Sequence, residues 1–206
     1  MAAGSVYADT VAYTDPGLQG SQAWGGNLAL NFDVNSPITV TDLGVFNASG
    51  SGMITGTIQV VIFNTITNTE VTPVVTFHGS YSTGGLGFDL FQAITPVVLV
   101  PGSYEIDAVG FSSTDLDGNL NTGSLSGPLL DNGGAALTFT GASWDSSTSL
   151  DDPLTCPTCK PAPAQFSQFD AGTFTFTSAL TATPEPSSLS LLAAGLGLLV
   201  LVFRRR

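Results

Sequence analysis

The chain has 206 residues, 16 of them acidic and only four Lys or Arg, and three of those four are Arg204, Arg205 and Arg206. Lys160 is therefore the sole cation of the rest, and so acidic a body repels phosphate backbones and excludes a nucleic-acid-binding role. The length suits one domain plus a tail, and a composition rich in Gly, Thr, Ser, Val and Phe but poor in Lys, Glu and Arg favours strands joined by tight turns over solvated helices.

In chain order, residues 1–8 read as the remnant of a signal peptide. Val6-Tyr7-Ala8 is the small-residue pattern that precedes a signal-peptidase cut, which makes Asp9 the first mature residue. The alternative is a disordered cytosolic amino terminus. A β-domain is expected over 9–180, where apolar and polar residues alternate with the period of strands that bury one face. In NLALNFDV the apolar set is Leu28, Leu30, Phe32 and Val34. ITVTDLGVF follows at 38–46. In GTIQVVIFN, Ile58, Val60 and Ile62 are backed by Val61 and Phe63, so this strand is expected to be central. Further strands are expected at 73–79, 94–100, 102–111, 136–141 and 172–179, about eight in all. Asn35-Ser36-Pro37, Ser49-Gly50-Ser51-Gly52 and Pro101-Gly102 separate them, the last as a tight turn in which glycine supplies a positive φ. The fold class is all-β, a β-sandwich; strand number favours a jelly-roll-like arrangement, with an immunoglobulin-like one as the alternative. Residues 153–168 are Pro-rich and read as a long surface loop.

Candidate chemistry is sparse. Asp115, Asp117, Asn119 and Asn121 place oxygen ligands at alternate positions around Gly118, a spacing that wraps a hard cation such as calcium. The pattern departs from an EF-hand in the early glycine and in Ser126, which stands where a bidentate Glu is expected; a solvated turn is the alternative reading. Asp131, Asp145, Asp151 and Asp152 are further oxygen donors that the sequence alone does not bring together. Cys156 and Cys159 have a C-x-x-C spacing without the βαβ setting of a redox catalyst, and read as a small structural disulfide. His78 is the single histidine and reads as an ordinary strand-end residue. Gly84-Gly85-Leu86-Gly87 is a flexible turn. Glu105 and Asp107 share one face of one strand and are the carboxylates a hydrolase on this scaffold would use. Among Trp24, Trp144, Tyr81 and Tyr104, Trp144 in GASWDSS is the candidate for stacking on a sugar ring.

Residues 181–187 form a linker containing Pro184-Glu185-Pro186, and 188–206 read as a membrane-spanning helix with an arginine tail. The apolar run from Leu189 to Phe203 spans roughly 22 Å at about 1.5 Å per residue. That is short of the ~30 Å hydrocarbon core, a deficit that flanking Ser187 and Ser188 and snorkelling arginines reduce. The arginines hold the carboxy terminus on the cytoplasmic side and leave the body outside. Pro184-Glu185-Pro186, an apolar helix and a terminal arginine cluster, in that order, resemble the PEP-CTERM sorting signal of Gram-negative bacteria. The resemblance implies an exosortase, a membrane-embedded processing protease, as partner, anchoring in the inner membrane before processing, and delivery to the cell envelope or an extracellular polymer matrix. AWGGNLALNFDVNSPITVTDLGVFNASGSGM, VTPVVTFHGS, GPLLDNGG and AGTFTFT resemble, more loosely, a recurring β-domain of secreted bacterial proteins; that resemblance implies boundaries and no activity. The expectation is an exported, non-catalytic envelope or matrix protein associated with exopolysaccharide and needing no cofactor unless calcium. The alternatives are a carbohydrate-active hydrolase and a calcium-stabilised adhesin-like module.

Overall fold

Alternating side chains along a strand bury one face only if a second apolar face is laid against it, and here two antiparallel sheets do this for each other. The computed structural model describes residues 9–14, 20–82, 88–119, 129–153, 160–161 and 169–178. Its strands are β1 (Thr10–Val11), β2 (Tyr13–Thr14), β3 (Leu28–Val34), β4 (Ile38–Phe46), β5 (Met53–Asn64), β6 (Thr69–Glu70), β7 (Val75–Ser80), β8 (Asp89–Leu99), β9 (Gly102–Val109), β10 (Leu129–Leu130), β11 (Leu137–Trp144), β12 (Lys160–Pro161) and β13 (Gly172–Ser178). The smaller sheet runs β1-β13-β4-β8. The larger runs β12-β11-β3-β9-β5, with β6 and β7 both pairing with β5, and β2 and β10 form a separate ladder. The fold is all-β with no helix among the described residues.

The core lies between the sheets. Phe32 of β3 meets Phe174 of β13 with ring centroids 5.0 Å apart, and Phe174 in turn packs on Phe176 at 5.8 Å. Leu30, Val60, Ile62 and Ile106 from the larger sheet and Val40 and Leu43 from the smaller complete the same buried cluster. Each fully buried aliphatic or aromatic side chain contributes about 1.5–3 kcal/mol. Gly172 lets the sheets approach closely, since a Cβ there would meet Ile106 Cγ1 at 3.0 Å.

All eight expected strands are present. β5 is flanked by β9 and β7, and its second face is buried as well, Val61 completely, in keeping with a central position. The structure differs from expectation in four places. Gly102 begins β9 opposite Val34 and does not have a positive φ; in the earlier turn Gly50 and Gly52 do, at 60° and 74°. β8 starts at Asp89, before 94, because its first half pairs with the second half of β4. β11 continues past 141 to Trp144 through an irregularity between Phe139 and Gly141, where Gly141 takes φ 146°. Within 153–168, Lys160–Pro161 pairs with the end of β11 at the sheet edge, the place where a sheet accepts proline. Residues 1–8, the 181–187 linker and the 188–206 segment lie outside the described residues, among which no helix is long and apolar enough to cross a membrane.

Candidate functional site

The acidic turn leaves β9 at Gly110 and folds back over the start of β5. Asp115, buried, accepts the Thr55 N–H at 2.8 Å on one oxygen and the Gly56 N–H at 2.7 Å on the other. These amides fall in the stretch of β5 where the register with β7 shifts between Ile54 and Ile58, so the carboxylate takes donors that the ladder leaves over. Asp117 faces elsewhere. Its Oδ1 accepts the Asn119 N–H at 3.0 Å and the Asn119 Nδ2 at 2.8 Å, forming a closed turn. Burial pushes the Asp117 carboxyl up to about 7, against the lowering effect of those donors. Asp170, from just before β13, joins this turn: its carbonyl accepts the Gly118 N–H at 2.7 Å, and Asn119 Oδ1 accepts its N–H at 3.3 Å. Asn121 lies outside the described residues. Beside the turn is a groove of about 250 Å³ lined by Asn47, Ser49, Ser113, Thr114, Asp115 and Leu116, among others.

A second acidic constellation lies on the outer face of the larger sheet. Because residues alternate across a strand, Glu105 and Asp107 point away from the core while Tyr104 and Ile106 point into it. Both acids are nevertheless wholly buried. Glu105 pairs in register with Asn31 and Phe63, and Asp107 with Ala29 and Val61. The Ser143 hydroxyl donates to Glu105 Oε2 at 3.0 Å. Burial, then the neighbouring Asp152 and Asp107, push the Glu105 carboxyl up to about 10. Asp107 is also raised well above the carboxylate range, by burial and then chiefly by the charge on Asp145.

The loop after β11 is tied to the start of β3. Asn27 Nδ2 lies 2.9 Å from Asp145 Oδ1, 3.4 Å from the Ser147 carbonyl, 2.9 Å from the Ser149 carbonyl and 2.6 Å from Asp151 Oδ1. Trp24 Nε1 donates to the Asp145 carbonyl at 2.9 Å, and its ring meets Trp144 edge to face at 5.2 Å. Trp144 thus ends a strand, half-buried against Trp24, with part of its surface still open. Among the described residues, no three His, Cys, Asp or Glu groups stand together in a way that would hold a metal by themselves.

The remaining candidates are dispersed. His78, exposed on β7, has Nδ1 2.6 Å from the Gly56 carbonyl, and its N–H donates to the Tyr81 hydroxyl at 2.9 Å. Tyr104 is anchored through its hydroxyl to the Val100 carbonyl at 2.9 Å. Cys156, Cys159 and residues 84–87 lie outside the described residues. Two features escaped the sequence reading. Asp170 closes the 115–119 turn from a distant point of the chain, which no local signal announces. The run Asp145-Ser146-Ser147-Thr148-Ser149-Leu150-Asp151 did carry a signal, since it repeats the alternate-position oxygens that singled out 115–121.

Compared with known proteins, the chain matches the PEP-CTERM protein-sorting motif over residues 182–206. No curated protein matches it. The match covers the Pro184-Glu185-Pro186 motif, the apolar run and the three terminal arginines, so the chain carries an exosortase-type sorting signal, and secretion follows from that signal.

Proposed function

We propose that this protein is a non-catalytic component of the cell envelope or extracellular matrix, held in the inner membrane by its carboxy-terminal helix until an exosortase-type protease processes it, and associated outside the cell with exopolysaccharide. The observation that carries this reading is the sorting motif at 182–206. Two structural features support its finer parts. Glu105 and Asp107, the carboxylates a glycosidase would need at a substrate, are wholly buried on the outer face of the larger sheet. The groove beside Asn47, Ser49 and Thr114 is lined with hydroxyl and amide groups suited to sugar hydroxyls, and at about 250 Å³ it has room for little more than a single ring.

Deletion of residues 184–206 tests the delivery. The truncated chain is expected to leave the producing cell's membrane fraction while the intact chain passes through it, and equal distribution of the two would refute the anchoring role. A glycan array probed with the exported protein, run beside a glycoside-hydrolase screen, tests the rest. Binding without turnover is expected; clear turnover would replace this reading with the hydrolase.

A further inference from the structure

The side chain of Asn27 is completely buried and its two ends are badly matched to their surroundings. Its amide nitrogen, with two hydrogens to give, faces four oxygens at 2.9, 3.4, 2.9 and 2.6 Å. Its Oδ1 is buried with no hydrogen-bond partner. The two ends of an amide are distinguished by assignment and not by shape, and a half-turn of the side chain places Oδ1 among the same four oxygens. Five oxygens gathered in one place, with no hydrogen between them, repel one another unless a cation sits at their centre.

The spacing fits one. Oxygens about 2.4 Å from a calcium ion and adjacent in a pentagonal-bipyramidal shell lie about 2.8–3.4 Å from each other. The separations around the Asn27 amide span nearly the same interval, 2.6–3.4 Å. Asp107 supplies an independent observation. It is wholly buried, neither of its carboxylate oxygens has a hydrogen-bond partner of ordinary geometry, and the charges it feels most are those of Asp145, Asp151 and Asp152. A carboxylate kept dry behind a cluster of other carboxylates must either hold a proton or face positive charge in that cluster, and a cation between Asp145 and Asp151 supplies that charge.

We propose that the Asp145–Asp151 loop and Asn27 form a calcium site, with Asp145 Oδ1, the Ser147 and Ser149 carbonyls, Asp151 Oδ1 and the Asn27 side-chain oxygen as its ligands. Two carboxylates, two carbonyls and an amide are an all-oxygen set for a hard ion. The carbonyl-rich, irregular shell suits calcium better than magnesium, which demands a tighter octahedron and keeps its waters. Zinc would call for the imidazole or thiolate ligands that this set lacks. Gly26 is the positioning residue, because a Cβ there would come within 2.1 Å of the Asp145 carbonyl and push the loop off β3. The site differs from the 115–121 turn, whose Asp115 and Asp117 carboxylates are directed to backbone amides.

The test uses the exported protein stripped with EGTA and titrated with calcium chloride or magnesium chloride in a calorimeter, with melting curves in parallel. Saturable calcium binding is expected, in the extracellular range of roughly 10⁻⁴ to 10⁻³ M, with a rise in melting temperature that equal magnesium does not reproduce. Asp151→Asn, at an exposed side chain that folding tolerates, should weaken binding about tenfold or more. Asn27→Asp should melt lower than the parent without calcium and recover with it, since an added carboxylate repels in an empty site and coordinates in a filled one. No calcium-dependent heat or melting shift in the parent overturns the proposal. So does Asp151→Asn binding as the parent does, or Asn27→Asp being destabilised equally with and without calcium. Loss of binding in Asp117→Asn together with its retention in Asp151→Asn would assign calcium to the 115–119 turn instead.

Discussion

Asp115 and Glu105 are both carboxylates removed from water, and their neighbours give them opposite fates. Asp115 receives two backbone N–H donors, the arrangement that best compensates a buried anion. Asp115→Ala should therefore cost roughly 1–3 kcal/mol in urea unfolding, because Thr55 and Gly56 keep their donors and lose the acceptor. Asp115→Asn, which retains one acceptor oxygen, should cost less. Glu105 receives one hydroxyl and faces other acids, so burial holds it protonated up to about pH 10. In the unfolded chain it loses its proton near 4.5, and between these values the folded state binds a proton that the unfolded state has released. Stability from this group is full below 4.5 and falls as pH rises, by about 1.4 kcal/mol per pH unit. Calcium-free protein should accordingly melt lower at pH 8 than at pH 5. Glu105→Gln, an isostere of the protonated acid, should make that slope shallower, leaving the share of Asp107 and Asp117, and an unchanged pH profile of melting would show that Glu105 does not contribute to it.

At the scale of elements, period-two alternation made the long strands legible because each lays one apolar face against the opposing sheet, even where, as in β9, β13 and the second half of β5, the other face is buried too. Phe32 was placed on an apolar face by that rule, and the structure brings it to 5.0 Å from Phe174 of the expected 172–179 strand. Phe174→Ala should cost about 3–5 kcal/mol in chemical denaturation, the combined loss of transfer energy and a cavity between sheets. The two-residue strands β1, β2, β6, β10 and β12 were not legible, since two residues carry no period; they exist because a neighbouring edge offers unpaired groups. Turn glycines divide in the same way. Gly134, at φ 70° with open space around it, should lose only about 1–2 kcal/mol on replacement by Ala. Gly20 should lose more, because a Cβ there would fall on the Asp117 carbonyl, and the same denaturation series ranks the two.

For the whole molecule, the sorting signal and the folded body are separable pieces of chemistry. Replacing Pro184-Glu185-Pro186 alone removes the processing motif and keeps the apolar run and the arginines, so an unprocessed, membrane-held form is expected. Mass spectrometry of the fractionated protein checks this, and normal maturation of the variant would show that the motif is not what the protease reads. The body's acidity has a second consequence at this scale. The body has a single lysine against 15 acidic residues, eight of them buried, and the cost of those buried carboxylates must be met by local donors, by protonation or by a bound cation.

By itself the sequence determined the all-β class, the eight principal strands and the sorting signal, because each rests on composition or on residues close together in the chain. The tertiary structure alone decided which carboxylates are buried and what they meet. Asn27 reaches Asp145 across 118 positions and Asp151 across 124, and Asp115 reaches Thr55 across 60. The sequence carried the oxygen-rich spacing of both loops, but pairing strands brings remote loops together, and only that convergence gave Asp115 its backbone donors and the 145–151 loop the Asn27 amide.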